Sequence, residues 1–383
     1  MKNNLKRSTS MIIILAFVLL LFSACQTSED YEGSSFGAWL GFEEMTDERL
    51  VEMIASGEIP HNTASLTLHQ TRITDLTPLT SLTELTSLSL RGHTYLDGLA
   101  PLATLPNLTD LTLGVTSVGD VAELALLENL TRLYFDISEE IRPIASLTNL
   151  TSLTIHFRSG ETSSLVPLNS LVNLTSLNMS FSGRISDISP LANMTNLTNL
   201  NIRNFRSLSD ITPLASLANL RTLTLTNTAI SDVTPLASLA NLTNLTLNSN
   251  QISDISPLRN LSRLNQLYLN NNHINNINPL MDMFSMTVLE LNGNQISNIA
   301  PLSDLSNLTT LRLRDNQISE IDSLVELINL STLELSNNQI RDVRPLHDIV
   351  TLRSLCLNGN PLSDAQIDEL RNALPNLRFD FSR

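Results

Sequence analysis

Between about Ile230 and Pro361 the chain restates one 22-residue unit, of which ISDISPLRNLSRLNQLYLNNNH at Ile252–His273 is a clear copy. A fixed period of that length is the mark of a solenoid, in which each unit buries its apolar face only by stacking on its neighbours. Pro235, Pro257, Pro279 and Pro301 recur at this period, Ser323 takes the next position and Pro345 resumes the series. A length of 383 residues would otherwise suggest two or more domains, but here it resolves into many copies of one small unit. Aromatic residues make up only 4% of the chain, so the core has to be aliphatic, chiefly leucine.

Unit starts fall near Ile73, Leu96, Val118, Ser138, Thr162, Ile185, Leu208, Ile230, Ile252, Ile274, Ile296, Ile318 and Ile340, about thirteen in all. In the copy beginning at Ile230, the tract Leu242-x-x-Leu245-x-Leu247-x-x-Asn250 puts Leu245 and Leu247 on one face of a short strand and turns Thr246 outward. The preceding stretch, Asp232 through Pro235 to Leu239, is too short and broken for a long helix and predicts turn or 3₁₀ structure. Residues 37–72 read as an N-terminal cap: Thr46 starts a helix with Asp47 and Glu48 in its first turn and Leu50, Val51 and Ile54 on its apolar face, Gly57 ends it, and Ala64–His69 is the first strand. The units span 73–361. Residues 362–383 read as a C-terminal cap, with a Ser363/Gln366 capping box, Ile367, Leu370 and Leu374 on one helical face, and Leu377, Phe379 and Phe381 alternating as a last strand. An open strand edge invites further pairing, so both caps have a structural purpose.

The recurring SDxxPLxxLxxLxxLxLxxNxI pattern over Ile73–Pro361 resembles the internalin-type leucine-rich repeat of bacterial surface proteins. The resemblance implies an α/β-type horseshoe solenoid with a concave parallel β-sheet, a thin convex side of 3₁₀ segments and turns, and a concave face that binds proteins. Two departures stand against carrying host-cell invasion over: no C-terminal wall-sorting motif is present, and attachment is expected at the other end.

That attachment is read from residues 1–24. Lys2, Lys6 and Arg7 form a basic region, Met11–Phe22 an apolar stretch short for a bilayer, and Phe22-Ser23-Ala24 precede Cys25. The segment resembles a lipoprotein signal in which Cys25 is lipidated, with Phe22 where leucine is usual; an ordinary cleaved signal or an uncleaved anchor is the alternative. Residues 25–36 then form a flexible polar tether. All of these readings place the repeats outside the cytoplasm, and the lipoprotein reading anchors them by lipid to a bacterial membrane. Only Cys356 remains besides Cys25, so no disulfide is expected.

A net charge of −15 disfavours nucleic acid as a partner, because phosphate binding needs basic surface. After Lys6 every lysine-type position is filled by arginine, for which codon usage is the plain explanation. The lack of later lysine argues against P-loop and Schiff-base chemistry. Gly33-Ser34-Ser35-Phe36-Gly37 matches G-x-S-x-G only in the tether, without the strand and helix of a nucleophile elbow. The histidines are scattered, with no metal-ligand spacing. No cofactor and no metal are expected, and the stacked acids Asp187, Asp210, Asp232 and Asp254 read as turn caps.

Asn250, Asn272, Asn294, Asn316, Asn338 and Asn360 share one unit position, where a buried amide can bond the backbone of adjacent coils; this is read as a structural ladder. The first half lacks it and carries His93, Thr116, Ser138, Arg158, Ser182, Phe205 and Thr228 there. In that half the position after the strand reads Val115, Ile137, Phe157 and Phe181, with Phe205 displaced by one. Two placements are open. The column faces out as a protein-binding stripe rimmed by Tyr134, His156, Arg158, Arg203 and Arg206, or it turns inward to fill the space left by the asparagine, the inward one slightly preferred. On the outward strand positions of the second half, Tyr268, Glu290, Arg312 and Glu334, with Arg314 beside them, suggest a Glu290–Arg312–Glu334 cross-strand ladder that is foremost structural and could also select a partner. The expected function is non-catalytic binding of a protein partner, from the envelope or a host surface. The alternatives are a self-associating envelope component and, last, an enzyme with a noncontiguous site.

Overall fold

The computed structural model describes residues 38–41, 45–69, 72–93, 95–115, 117–137, 141–158, 164–181, 183–375 and 377–380. Cys25, the signal and tether segments, the G-x-S-x-G match and Phe381 lie outside them, as do the side chains of Val115, Ile137 and Phe379.

Among the described residues, sixteen parallel strands form one open sheet whose spatial order is the order along the chain. They are β1 (Ala38–Gly41), β2 (Ser65–His69), β3 (Ser87–His93), β4 (Asp110–Val115), β5 (Arg132–Ile137), β6 (Ser152–Phe157), β7 (Ser176–Ser180), β8 (Asn199–Arg203), β9 (Thr222–Thr226), β10 (Asn244–Thr246), β11 (Gln266–Tyr268), β12 (Val288–Glu290), β13 (Thr310–Arg312), β14 (Thr332–Glu334), β15 (Ser354–Cys356) and β16 (Arg378–Asp380). Thirteen short 3₁₀ segments lie between successive strands from β2 to β15, as the broken Asp-to-Leu stretches of the sequence led one to expect. The result is a leucine-rich repeat horseshoe. The sheet begins one strand earlier than Ala64–His69, because Ala38–Gly41 pairs with Leu66–His69 although it carries no repeat signature.

Each coil closes around aliphatic side chains. In the unit from Ile230, the side chains of Ile230, Val233, Leu236, Leu239, Leu242, Leu245 and Leu247 are all fully buried, one at each place where the backbone passes the interior. Full burial of such a side chain contributes about 1.5–3 kcal/mol. The turn before each 3₁₀ segment is set by Asp and Pro together: Asp232 Oδ1 accepts from the Thr234 amide at 2.8 Å, and Pro235 fixes the next φ. Asp187, Asp210 and Asp254 cap in the same way, each at 2.8 Å.

Two asparagine ladders clamp coil to coil. Asn272 Nδ2 donates to the carbonyls of Leu247 (2.9 Å) and Leu269 (3.1 Å), while its Oδ1 accepts from the Ile252 amide (3.1 Å). The pattern repeats through Asn294, Asn316, Asn338 and Asn360, and Asn250 opens it by accepting from Thr228. Strands here are only three residues long for a related reason. The amide that would extend β11, that of Asn270, donates to Asn248 Oδ1 (2.8 Å), and the Asn272 side chain takes the Leu247 carbonyl instead. A second ladder was not anticipated. The asparagines of the N-L-T tripeptides bond the preceding coil, as in Asn196 to Val172 O (3.1 Å) and Asn241 to Ala218 O (2.9 Å).

Both ends are covered. Helix α1 (Asp47–Ala55) is capped by Thr46 Oγ1 accepting from the Arg49 amide, and it buries Leu50, Met53 and Ile54. Val51, placed on that face from sequence, is exposed, since it points about 100° around the helix from Leu50. Helix α2 (Asp364–Ala373) has the Ser363/Gln366 capping box and leads into β16. No helix among the described residues is long and apolar enough to cross a membrane.

Candidate protein-binding surface

The longer strands β3 to β8 present one outward residue in two, and parity alone sets the first layer of the surface. In β5, Leu133 and Phe135 point inward and Tyr134 and Asp136 outward; in β6, Leu153, Ile155 and Phe157 point inward and Thr154 and His156 outward. Phe157 is therefore a core residue, 2% exposed, and not part of a binding stripe. Phe205 is also core, at 0%, because it occupies the ladder position and its ring fills the room that an asparagine amide takes in later coils. The two rings meet edge to face with centroids 6.0 Å apart.

Phe181 goes the other way. Strand β7 stops at Ser180, and Phe181 adopts a left-handed conformation with φ of 68° that turns its side chain outward, 61% exposed. The equivalent left-handed residues of later coils are Asn204, Asn227, Ser249, Asn271, Gly293, Asp315, Asn337 and Gly359, mostly types that tolerate this region. A bulky aromatic there carries backbone strain, a feature that concentrates at functional sites.

Around Phe181 the structure assembles a polar and aromatic cluster across four coils. His156 and Phe181 pack edge to face at 6.3 Å, and Tyr134 and His156 at 5.1 Å. The Tyr134 hydroxyl donates to Asp136 Oδ1 (3.3 Å) and lies 3.3 Å from His156 Nδ1. Asp136, 14% exposed at its side chain, accepts from Arg158 Nη2 at 2.8 Å. Arg91 stacks its guanidinium over the Tyr134 ring, 4.4 Å from the centroid. Gly114 makes this possible, since a Cβ there would stand 3.1 Å from Arg91 Cγ. Arg91, Asp136 and Gly114 were missed from the sequence; Gly114 as the glycine in a strand that a side chain crosses was the available signal.

Burial raises the Tyr134 pKa, with the Asp136 charge adding to the effect. For His156, burial and then the nearby Arg91 and Arg158 outweigh Asp136 and lower the pKa. At pH 7 the imidazole is neutral, so its 3.5 Å approach to Asp136 is a polar contact and not an ion pair.

Elsewhere the outward candidates are dispersed. Arg203 Nε donates to Asn201 Oδ1 (3.0 Å), and Arg206 is exposed in the following loop. Arg312 Nη1 pairs with Glu290 Oε1 at 2.6 Å, and Asn270 Nδ2 holds the other oxygen of Glu290 at 2.8 Å. The expected three-member ladder stops there: Glu334 is in register with Arg312 but makes no ion pair with it in the described structure, because the guanidinium is turned to the oriented Glu290. Tyr268 donates to Gln266 Oε1 (3.3 Å), with its pKa raised by burial and then by Glu290, and Arg314 pairs with Asp315 (3.1 Å). Among the described residues no group of three or more His, Cys, Asp or Glu side chains could hold a metal ion.

The family model for leucine-rich repeats (2 copies) matches residues 240–280, 285–326 and 306–346. The crystal structure of internalin InlF from Listeria monocytogenes is similar over 79% of this chain and 88% of its own, at 34% identity and a TM-score of 0.71. This chain belongs to the internalin-type leucine-rich repeat family. A leucine-rich repeat protein of Leptospira interrogans (23% identity, 84% and 90% covered, TM-score 0.72) and the functional domain of InlJ from Listeria monocytogenes (21%, 81% and 70%, TM-score 0.58) share the leucine-rich repeat fold. No curated protein matches the chain. Family membership accounts for the horseshoe and its repeats; the Arg91–Tyr134–His156–Phe181 cluster is built from the outward side chains of this internalin-type chain's strands and from Phe181 at the strand end.

Proposed function

We propose that this is a non-catalytic, lipid-anchored protein of the bacterial surface that binds a protein partner through the concave face of its sheet. The observation that carries the reading is Phe181, a strained and exposed aromatic joined to Tyr134, His156 and two arginines on a rigid wall. Aromatic and arginine side chains dominate the energetics of protein interfaces, and a preformed wall of sixteen strands, about 70 Å long at about 4.8 Å per strand, orders little on docking. Leucine-rich repeat proteins as a class mediate protein–protein interactions, which supports the same reading. Anchoring rests on the segment before Cys25, which ends in small residues suited to signal cleavage.

The test is capture from envelope and host-surface extracts with the wild-type chain, repeated with Phe181→Asn and with Val350→Ser, a change at an exposed apolar residue outside the sheet. A protein retained by Val350→Ser and lost by Phe181→Asn supports the concave site; the reverse pattern refutes it. Light scattering of the pure protein tests self-association in its place. Incorporation of labelled acyl chains into a Cys25→Ser variant would remove the lipid anchor.

A further inference from the structure

The charges on the concave face are unevenly matched. Strands β3 to β8 and the residue after β6 carry four outward arginines among their described side chains: Arg91, Arg132, Arg158 and Arg203. Two are matched, Arg132 by Asp110 (3.2 Å) and Arg158 by Asp136 (2.8 Å). The other two have no carboxylate partner among the described residues: Arg91 lies over Tyr134, and Arg203 uses its Nε on Asn201, leaving its terminal amino groups. On β12 to β14 and the residues just after them, Arg312 and Arg314 are both paired, and Glu334 has no ion pair among the described residues. A chain of net charge −15 thus holds two unspent guanidiniums on one stretch of its inner wall, a local field opposite in sign to that of the molecule.

Register puts these groups in one row. Arg91 is level with Gly114, Asp136 with His156, His156 with Ser180, and Ser180 with Arg203. Because Gly114 lets Arg91 lean across to Tyr134, its guanidinium stands over β5, three strands from Arg203. That is about 14 Å at the usual strand spacing, the reach of roughly four extended residues. Between the two cations sit the neutral edge of His156 and the exposed Phe181 ring. Ser180 lies there too, nine-tenths buried, with no hydrogen-bond partner for its hydroxyl among the described residues. A row of two cations around an apolar centre fits a peptide chain that brings carboxylates at both ends and an apolar side chain in the middle.

We infer that the partner docks an acidic protein segment across β5 to β8, its carboxylates on Arg91 and Arg203 and an apolar side chain against Phe181 and His156. This rests on the concave-binding reading and adds the partner's chemistry. A basic segment would meet two like charges. An extended polyanion would find two unpaired arginines on the described strands β3 to β8, set in a strongly negative molecule.

The experiment is selection of a phage-displayed random 12-residue peptide library on the full chain, with the selected peptides synthesised and titrated against wild type, Arg91→Gln/Arg203→Gln and Phe181→Asn. The expected result is enrichment of Asp and Glu flanking an apolar residue, with affinity that weakens as salt rises and falls at least tenfold in the double arginine variant, whose melting temperature stays at the wild-type value. Neutral or basic peptides that are lost with Phe181→Asn would keep the concave site and overturn the acidic partner. Peptides indifferent to both variants would overturn the concave reading as well, and a selection that yields no concave-dependent peptide counts against both. Heparin, tested in parallel, would overturn the protein segment if it bound through the same arginines more tightly than every selected peptide.

Discussion

Replacing Phe181 with asparagine separates stability from binding in a way that few single substitutions can. Phe181 sits at φ of 68°, and a left-handed conformation costs a typical side chain roughly 1–2 kcal/mol, less for asparagine, which bonds its own backbone. Against this relief stands the lost contact of the ring. With 61% of the residue exposed, about 50 Å² of apolar contact is given up, about 1 kcal/mol at about 25 cal/mol per Å². The two terms nearly cancel, so Phe181→Asn should leave the melting temperature unchanged or slightly raised. Phe157→Ala is the internal control: its ring is 2% exposed, and emptying such a site costs about 3–5 kcal/mol. In a protein of this size that is a fall of several degrees. Differential scanning calorimetry of both variants, beside titration of whichever surface protein the wild type captures, should show Phe157→Ala melting low and Phe181→Asn melting normally. Binding should drop about 30-fold or more in Phe181→Asn, the loss of a hot-spot aromatic worth about 2 kcal/mol. If Phe181→Asn melts several degrees low, the ring is part of the core and the reasoning fails; if it melts normally and binds normally, the ring is exposed without consequence.

Asn294→Leu should destabilise the protein by about 3 kcal/mol or more, since the carbonyls of Leu269 and Leu291 and the Ile274 amide lose their partner together; amide exchange should quicken first in the coils on either side. Gly114→Val should push Arg91 off Tyr134, seen as a change in tyrosine near-ultraviolet dichroism and a loss of partner affinity, with a wild-type signal refuting the contact. The turn carboxylates set an acid limit. Asp187, Asp210, Asp232 and Asp254 have lowered pKa values from hydrogen bonds to the residue two ahead, and Asp342, held first by the Arg344 side chain, lies at about 2. A carboxylate whose folded pKa is depressed contributes stability that is complete above its unfolded pKa, near 4, and is lost as pH falls through the folded value. Thermal stability should hold down to about pH 4 and then decline towards pH 2, less steeply in a variant with Asp210, Asp232 and Asp254 changed to asparagine; equal slopes would refute the assignment.

Much of the fold was legible because a solenoid repeats its instructions. The leucine spacing, the Asp–Pro turn and the asparagine at Asn250 and its successors each recur, so one well-read coil describes its neighbours, and both caps announce themselves by capping residues and broken period. The N-L-T asparagines recur just as clearly, yet their clamp onto the preceding coil went unread, because an exposed asparagine gives no local sign of where its amide points. The candidate surface was harder for the same reason. Tyr134, His156, Arg158 and Phe181 were flagged by departure from the repeat, but Arg91 and Asp136 look ordinary until a neighbouring coil is laid beside them.

The sequence by itself determined the period, the inward leucines, the strand and turn of each coil and the helical ends, since these follow from residue types at fixed spacing within one unit. Only the tertiary structure decided that Phe157 and Phe205 are core while Phe181 faces out, that Arg91 crosses Gly114 to reach Tyr134, and that Arg312 serves Glu290 alone. Which way a side chain points at the end of a strand depends on the residue at which the strand stops. That point is settled by hydrogen bonds from the adjacent coil, which no stretch of sequence within the unit contains.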